Sequence, residues 1–276
     1  MVMKIKVVVK NFLYGIILGV SNVIPGVSGG TMAVILNIYD TILLAFTRQN
    51  IKKSLPFLFI LGVGTLLGIY SFSKLITNLL QDHGTLLAFA FFGIILGSIP
   101  SIYRRARYEK VKSKNVILGL AALVFMILLS LISNVALEEI FFSALESGQP
   151  LFYVWILISS TLAMIAMLLP GISGSLVLLI LGAYPVVMEA IAYFQWDILF
   201  VLAAGVLVGG YVGIKVIQNM LNNHPQALYF IILGLILGSL FILFLDMKGG
   251  FYSPLNYLVF LLFAILLAVF GAKEKA

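Results

Sequence analysis

Cysteine is absent from the 276 residues, histidine occurs twice, and 10% of the side chains are charged. Without cysteine there is no disulfide framework, no thiol nucleophile and no thiolate metal site. His83 and His224 are too few for a histidine-rich metal centre, so neither a metal nor a cofactor is expected. Acidic residues are the scarcer charge, 10 against 17 basic ones, for a formal net charge of +7. That excess does not point to nucleic acid. The basic residues sit in short clusters beside hydrophobic segments, which is the pattern of cytoplasmic membrane loops.

What is abundant is apolar surface. Hydrophobic residues make up 62% of the chain, and the mean hydropathy is +1.17. So few charges cannot solubilise that much apolar area, which makes the surrounding medium lipid and the protein an all-α integral membrane protein. The 21 Phe and 12 Tyr suit lipid contact and interfacial belts. Lys4, Lys6 and Lys10 before an apolar stretch resemble a signal peptide, but no small-x-small cleavage site follows, so the stretch is expected to be retained.

The apolar pattern is broken early by "IPGVSGGT" (24–31) and again by "LPGISGS" (169–175). Proline removes a backbone donor and clustered glycines weaken a helix, so each break ends one helix and opens another. The two breaks belong to a repeat. Residues 24–39 align with 169–184 at a constant offset of 145, and 68–83 align with 209–224 at an offset of 141. The second alignment pairs Tyr70 with Tyr211, Lys74 with Lys215 and His83 with His224, and it continues from 93–98 to 234–239. The chain therefore reads as two homologous halves, 1–137 and 138–276.

Each half is expected to hold a re-entrant hairpin, near 11–46 and 151–194, followed by three spans. Those spans lie near 55–80, 85–103 and 115–136, and near 197–222, 226–246 and 254–272. The arm from Asn11 to Ile24 is about 14 residues, or roughly 21 Å of helix against a hydrocarbon core of about 30 Å. A hairpin plus three spans crosses an odd number of times, so the second half is expected to be inverted. Lysine and arginine agree: the N-terminus, 47–54, 104–114 and the C-terminus carry them on one side. The other side carries Asp82, Glu138, Glu139, Glu146, Asp197 and Asp246, with Lys248 as its only basic residue. Both termini are then cytoplasmic.

Inverted repeats with interrupted helices at membrane depth mark secondary transporters, with the substrate held near the midplane. Ser28, Gly29, Gly30 and Thr31 from one loop, and Ser173, Gly174 and Ser175 from the other, are expected to offer free N–H groups to a phosphate or carboxylate. The alternative is that the small residues only allow tight helix crossing. Lys74 and Lys215 lie inside long apolar segments and are candidate substrate cations, or else they snorkel to the headgroups. Asp40, Glu189, His83 and His224 are candidates for proton coupling, or ordinary interfacial polar residues.

These motifs resemble a known family. "S-N-x-I-P-G-V-S-G-G-T" followed by "P-G-I-S-G-S" is similar to the PopT-type polyprenyl-phosphate translocases, over nearly the whole chain. The resemblance implies a bacterial plasma-membrane protein that returns undecaprenyl phosphate from the outer to the inner leaflet for wall-polymer synthesis. It implies functional positions at Ser21, Asn22, Pro25, Gly26, Ser28, Gly29, Gly30 and Thr31, and at Pro170, Gly171, Ser173, Gly174 and Ser175. Two other readings stay open: a transporter of a small anion or ion, and a membrane enzyme like the undecaprenyl-pyrophosphate phosphatases. The latter carry Pro-Gly-x-Ser-Arg-Ser, whose Arg and second Ser are Gly29 and Gly30 here, so the clamp on pyrophosphate charge is missing. Nothing in the sequence selects between proton and sodium as coupling ion, or between a monomer and a homo-oligomer.

Overall fold

The computed structural model describes residues 5–23, 28–47, 49–107, 110–133, 150–247 and 253–273. In lipid every backbone polar group must be satisfied within the chain, and the described residues meet that demand with α-helices and no strand. In chain order these are α1 (Ile5–Val23), α2 (Gly29–Ile35), α3 (Tyr39–Ala45), α4 (Ile51–Ala106) and α5 (Ser113–Ser133). They are followed by α6 (Pro150–Leu168), α7 (Gly174–Ile180), α8 (Tyr184–Ala192), α9 (Trp196–Asn223), α10 (Pro225–Met247) and α11 (Pro254–Lys273). Among the described residues, six stretches are long and apolar enough to cross a membrane. They are Ile5–Val23, Ile51–Ser73, Asp82–Ala106, Pro150–Leu168, Trp196–Asn223 and Pro225–Leu245.

The first arm departs from the sequence expectation. Helix α1 begins at Ile5, not Asn11, and its 19 residues reach about 28 Å at ~1.5 Å per residue. At that length it can cross a membrane. The segment after each Pro-Gly break is not a single helix. Each is two short helices, α2 with α3 and α7 with α8, and the second pair bends by 113°. The same turn separates the two helices in both pairs. Asn37 (φ 59°) and Gly182 (φ 68°) are left-handed, and each donates its N–H three residues back, to Val34 and Leu179. The next N–H reaches five residues back, Ile38 to Ala33 and Ala183 to Leu178. That pair of bonds ends a helix and turns the chain.

His83 and His224 share a conformation as well as a position. Both are non-helical, φ −139° and ψ 33° against φ −140° and ψ 49°, and both mark the turn between one long helix and the next. Pro225 makes the second turn a full break between α9 and α10, while Gly84 lets α4 run on through a kink.

Packing is by glycine seams. Helix α1 lies along the first limb of α4, and α6 lies along α9. Gly64 and Gly68 rest on the carbonyls of Phe12 and Ile16, as Gly205 and Gly209 rest on those of Leu157 and Thr161. A Cβ at Gly64, Gly68 or Gly209 would strike that oxygen, so the two backbones lie in direct contact. The glycine-rich stretches 62–68 and 205–210 thus pack within the chain. The remaining long helices pair crosswise: the second limb of α4 packs on α11, and α10 packs on α5. Gly93 and Gly97 meet the carbonyls of Phe260 and Ala264, while Gly234 meets that of Gly119 and a Cβ at Gly238 would fall 3.2 Å from that of Leu123. These contacts recur at the offsets read from the sequence. The core under them gathers Leu18, Leu43, Ile95, Ile102, Leu228, Ile232 and Ile236 from both halves.

Candidate functional site

The two Pro-Gly breaks meet. Ser28 caps α2, its Oγ accepting the Thr31 N–H at 3.1 Å, and the two hydroxyls lie 2.8 Å apart. Together they hold the second loop: the Gly171 N–H donates to Thr31 Oγ1 at 2.8 Å and to Ser28 Oγ at 3.3 Å. Gly171 is at φ 93°, and a Cβ there would fall 2.8 Å from the Leu235 carbonyl carbon, so only glycine turns at this point against α10. Gly30 completes the contact, facing the Met167 carbonyl and Pro170. Tyr39 Oη adds a tie from α3 to the Leu168 carbonyl at 2.9 Å. Pro25 and Gly26 lie outside the described residues.

The donors expected to be free in the first loop are largely taken. The Gly29 N–H goes to Asn22 Oδ1 at 3.1 Å and the Thr31 N–H to Ser28. Ser21 is buried and donates to the Leu18 carbonyl of its own helix at 2.7 Å. The first loop is therefore a structural clasp. Replacing Thr31, 2% exposed, with the isosteric valine should leave the Gly171 amide short of a partner. The expected cost is about 1–3 kcal/mol, read as a lower Tm in detergent.

The second loop is built differently. Ser173 occupies the cap position of α7, φ −98° and ψ 133°, yet no side chain caps that helix. Its hydroxyl lies 2.7 Å from that of Ser175. Gly174 packs toward the Ala163 carbonyl, and Ser175 is exposed. This loop presents two hydroxyls and an uncapped helix start, while its counterpart presents none.

The other sequence candidates stand apart from the loops. Lys215 is exposed, with Nζ 4.3 Å from the centroid of the Tyr211 ring one turn back on α9. Lys74 lies within α4, and its side chain is outside the described residues. His83, His224 and Glu189 are exposed. Asp40 is engaged in an ion-paired cluster that sequence reading missed. Arg105 Nη1 donates to Asp40 Oδ2 at 3.2 Å and to Tyr229 Oη at 2.9 Å, and Tyr229 Oη donates to the same carboxylate oxygen at 2.6 Å. Arg105 reads as one more member of the basic 104–114 cluster. The available signal was Asp40, a carboxylate in an apolar segment with no nearby cation in the chain.

Residues 18–249 match the family described as undecaprenyl phosphate translocase-like. The chain is similar to the polyprenyl-phosphate transporter of Vibrio cholerae, 31% identical over 247 residues that cover 84% of this chain and 76% of that one. It is similar also to the polyprenyl-phosphate transporter of Staphylococcus aureus, 33% identical over 244 residues and 85% of each chain. No solved structure matches.

Proposed function

Because this chain belongs to the undecaprenyl phosphate translocase-like family, we propose that it transports a polyprenyl phosphate, returning it from the outer to the inner leaflet of a bacterial plasma membrane. The observation that carries the mechanism is the junction of the two broken limbs, where Thr31 and Ser28 hold the backbone of Gly171. Broken helices stacked at one point between two similar halves are where transporters bind their substrate.

The phosphate binds at the second loop, on the hydroxyls of Ser173 and Ser175 and the first amides of α7, while the isoprenoid tail stays in lipid. Backbone and hydroxyl donors aimed at one point suit an anion. Lys74 and Lys215, each beside a tyrosine one turn earlier, attract the headgroup toward opposite leaflets. The halves are inverted relative to each other. The recurrence of the same glycine contacts at the same offsets supports two equivalent bundles, and the segregation of basic residues to one side supports opposite orientations. Both termini are then cytoplasmic. A proton or sodium ion drives the cycle through Asp40, Glu189, His83 or His224.

The test is reconstitution into liposomes containing undecaprenyl phosphate. Outer-leaflet phosphate should become protected from a membrane-impermeant reagent with time, at a rate proportional to protein. No protection by folded, inserted protein would refute lipid transport and favour a small-anion transporter.

A further inference from the structure

Asp40 in the first turn of α3, Arg105 in the last turn of α4 and Tyr229 near the start of α10 close one end of the molecule. The guanidinium also lies 5.6 Å from the centroid of the Tyr229 ring. All the donors converge on one carboxylate oxygen. The other oxygen, Asp40 Oδ1, is buried and has no hydrogen-bond partner among the described residues, although the side chain as a whole is 33% exposed. A buried acceptor left unpaired is costly, so this carboxylate is a poor fit to the donors it occupies. The arginine fork and the phenol would be better matched by an anion with three terminal oxygens.

The cluster is also one-sided. At the repeat offsets its three members fall opposite Pro185, Asp246 and Ala88, so neither the carboxylate, the cation nor the phenol has a like counterpart. Among the described residues, the charged clasp stands at one end and has no ion-paired counterpart at the sister positions. The clasp ties the limb after the first break to helices of both halves, and the Gln218 side chain of α9 also donates to the Leu43 carbonyl of α3. Releasing Asp40 removes the charged tie on the limb that carries the loop junction, and leaves the Tyr39 and Gln218 hydrogen bonds to hold it.

We propose that Arg105 and Tyr229 form a second phosphate seat at the basic face, occupied by Asp40 at rest, and that an arriving phosphomonoester displaces Asp40 and removes the charged tie on α3. The identity of that phosphate as a lipid headgroup rests on the transport reading; free phosphate shares the chemistry. The seat makes the two ends of the cycle unequal in affinity, because one end exchanges an internal carboxylate for the ligand.

The protein in nanodiscs tests this with two probes, radiolabelled inorganic phosphate and a short-chain polyprenyl phosphate. Asp40→Asn should bind at least one of them about tenfold tighter and Arg105→Gln about tenfold weaker, as expected for one charge-assisted contact. Arg105→Lys, which keeps the charge, should fall between. Because the chain has no cysteine, Leu44→Cys with Tyr103→Cys takes a single pair of spin labels, whose separation should lengthen when a probe binds. Unchanged affinities in both variants, or Asp40→Asn weakening as Arg105→Gln does, would overturn the seat. An effect on inorganic phosphate alone, with no lipid transport in liposomes, would keep the seat and reject the lipid.

Discussion

Liposomes carrying the Ser173→Leu, Ser175→Leu double variant should move polyprenyl phosphate more slowly than wild type by about tenfold or more, roughly 1.4 kcal/mol of barrier or greater. The Tm should be unchanged. The two halves of that expectation come from different facts. Neither hydroxyl is buried and neither caps a helix, so removing them takes little from the fold. Their 2.7 Å separation puts two donors within reach of one phosphate, and leucine replaces both with bulk that blocks the α7 amides. The matching alanine pair should lose less, since it removes hydroxyls but leaves the amides open. Wild-type transport by the leucine variant would move the headgroup site away from the second loop.

The largest effect on stability should come from Gly64→Val, set against Gly62→Val. The two glycines lie two residues apart in the same apolar stretch. A Cβ at Gly64 would strike the Phe12 carbonyl and sit 3.0 Å from the Gly15 Cα, whereas a Cβ at Gly62 has nothing within 4 Å. Valine at 64 must push α1 off α4, and overpacking at a backbone contact costs about 3 kcal/mol or more. Size-exclusion chromatography of the detergent-solubilised variants should return aggregate or no protein for the first and a wild-type peak for the second. Equal behaviour would mean that α1 and α4 do not touch as described.

These contrasts show which features were legible in sequence. The helical class followed from composition, and the two breaks from Pro25–Gly26 and Pro170–Gly171. The turn that splits the segment after each break did not, because its left-handed residue is asparagine in one half and glycine in the other, and Asn37 in an apolar segment reads as an ordinary polar residue. The extent of α1 was hidden by Lys6 and Lys10, which look like the flank of a helix and are part of one. Saturation of the first loop was also hidden. A motif gives the residues that own donors, whereas Asn22 and Ser28 reveal their use only once the turn has folded. The Arg105 cluster was the least legible, since its partners lie 65 and 124 residues away in the chain.

The crosswise pairing of α4 with α11 and α10 with α5 also bears on how the protein is made. The seam at Gly93 and Gly97 is complete only when Phe260 and Ala264 have been synthesised. At roughly 5–20 residues per second, the ribosome takes some ten seconds or more to cover that interval. Throughout it the second limb of α4 sits in the membrane with its small-residue face unmatched. The N-terminal half is thus not a folding unit in the sense of an autonomous domain. A nascent chain arrested before α11 would keep that seam open to the insertion machinery, to a chaperone or to another copy of itself.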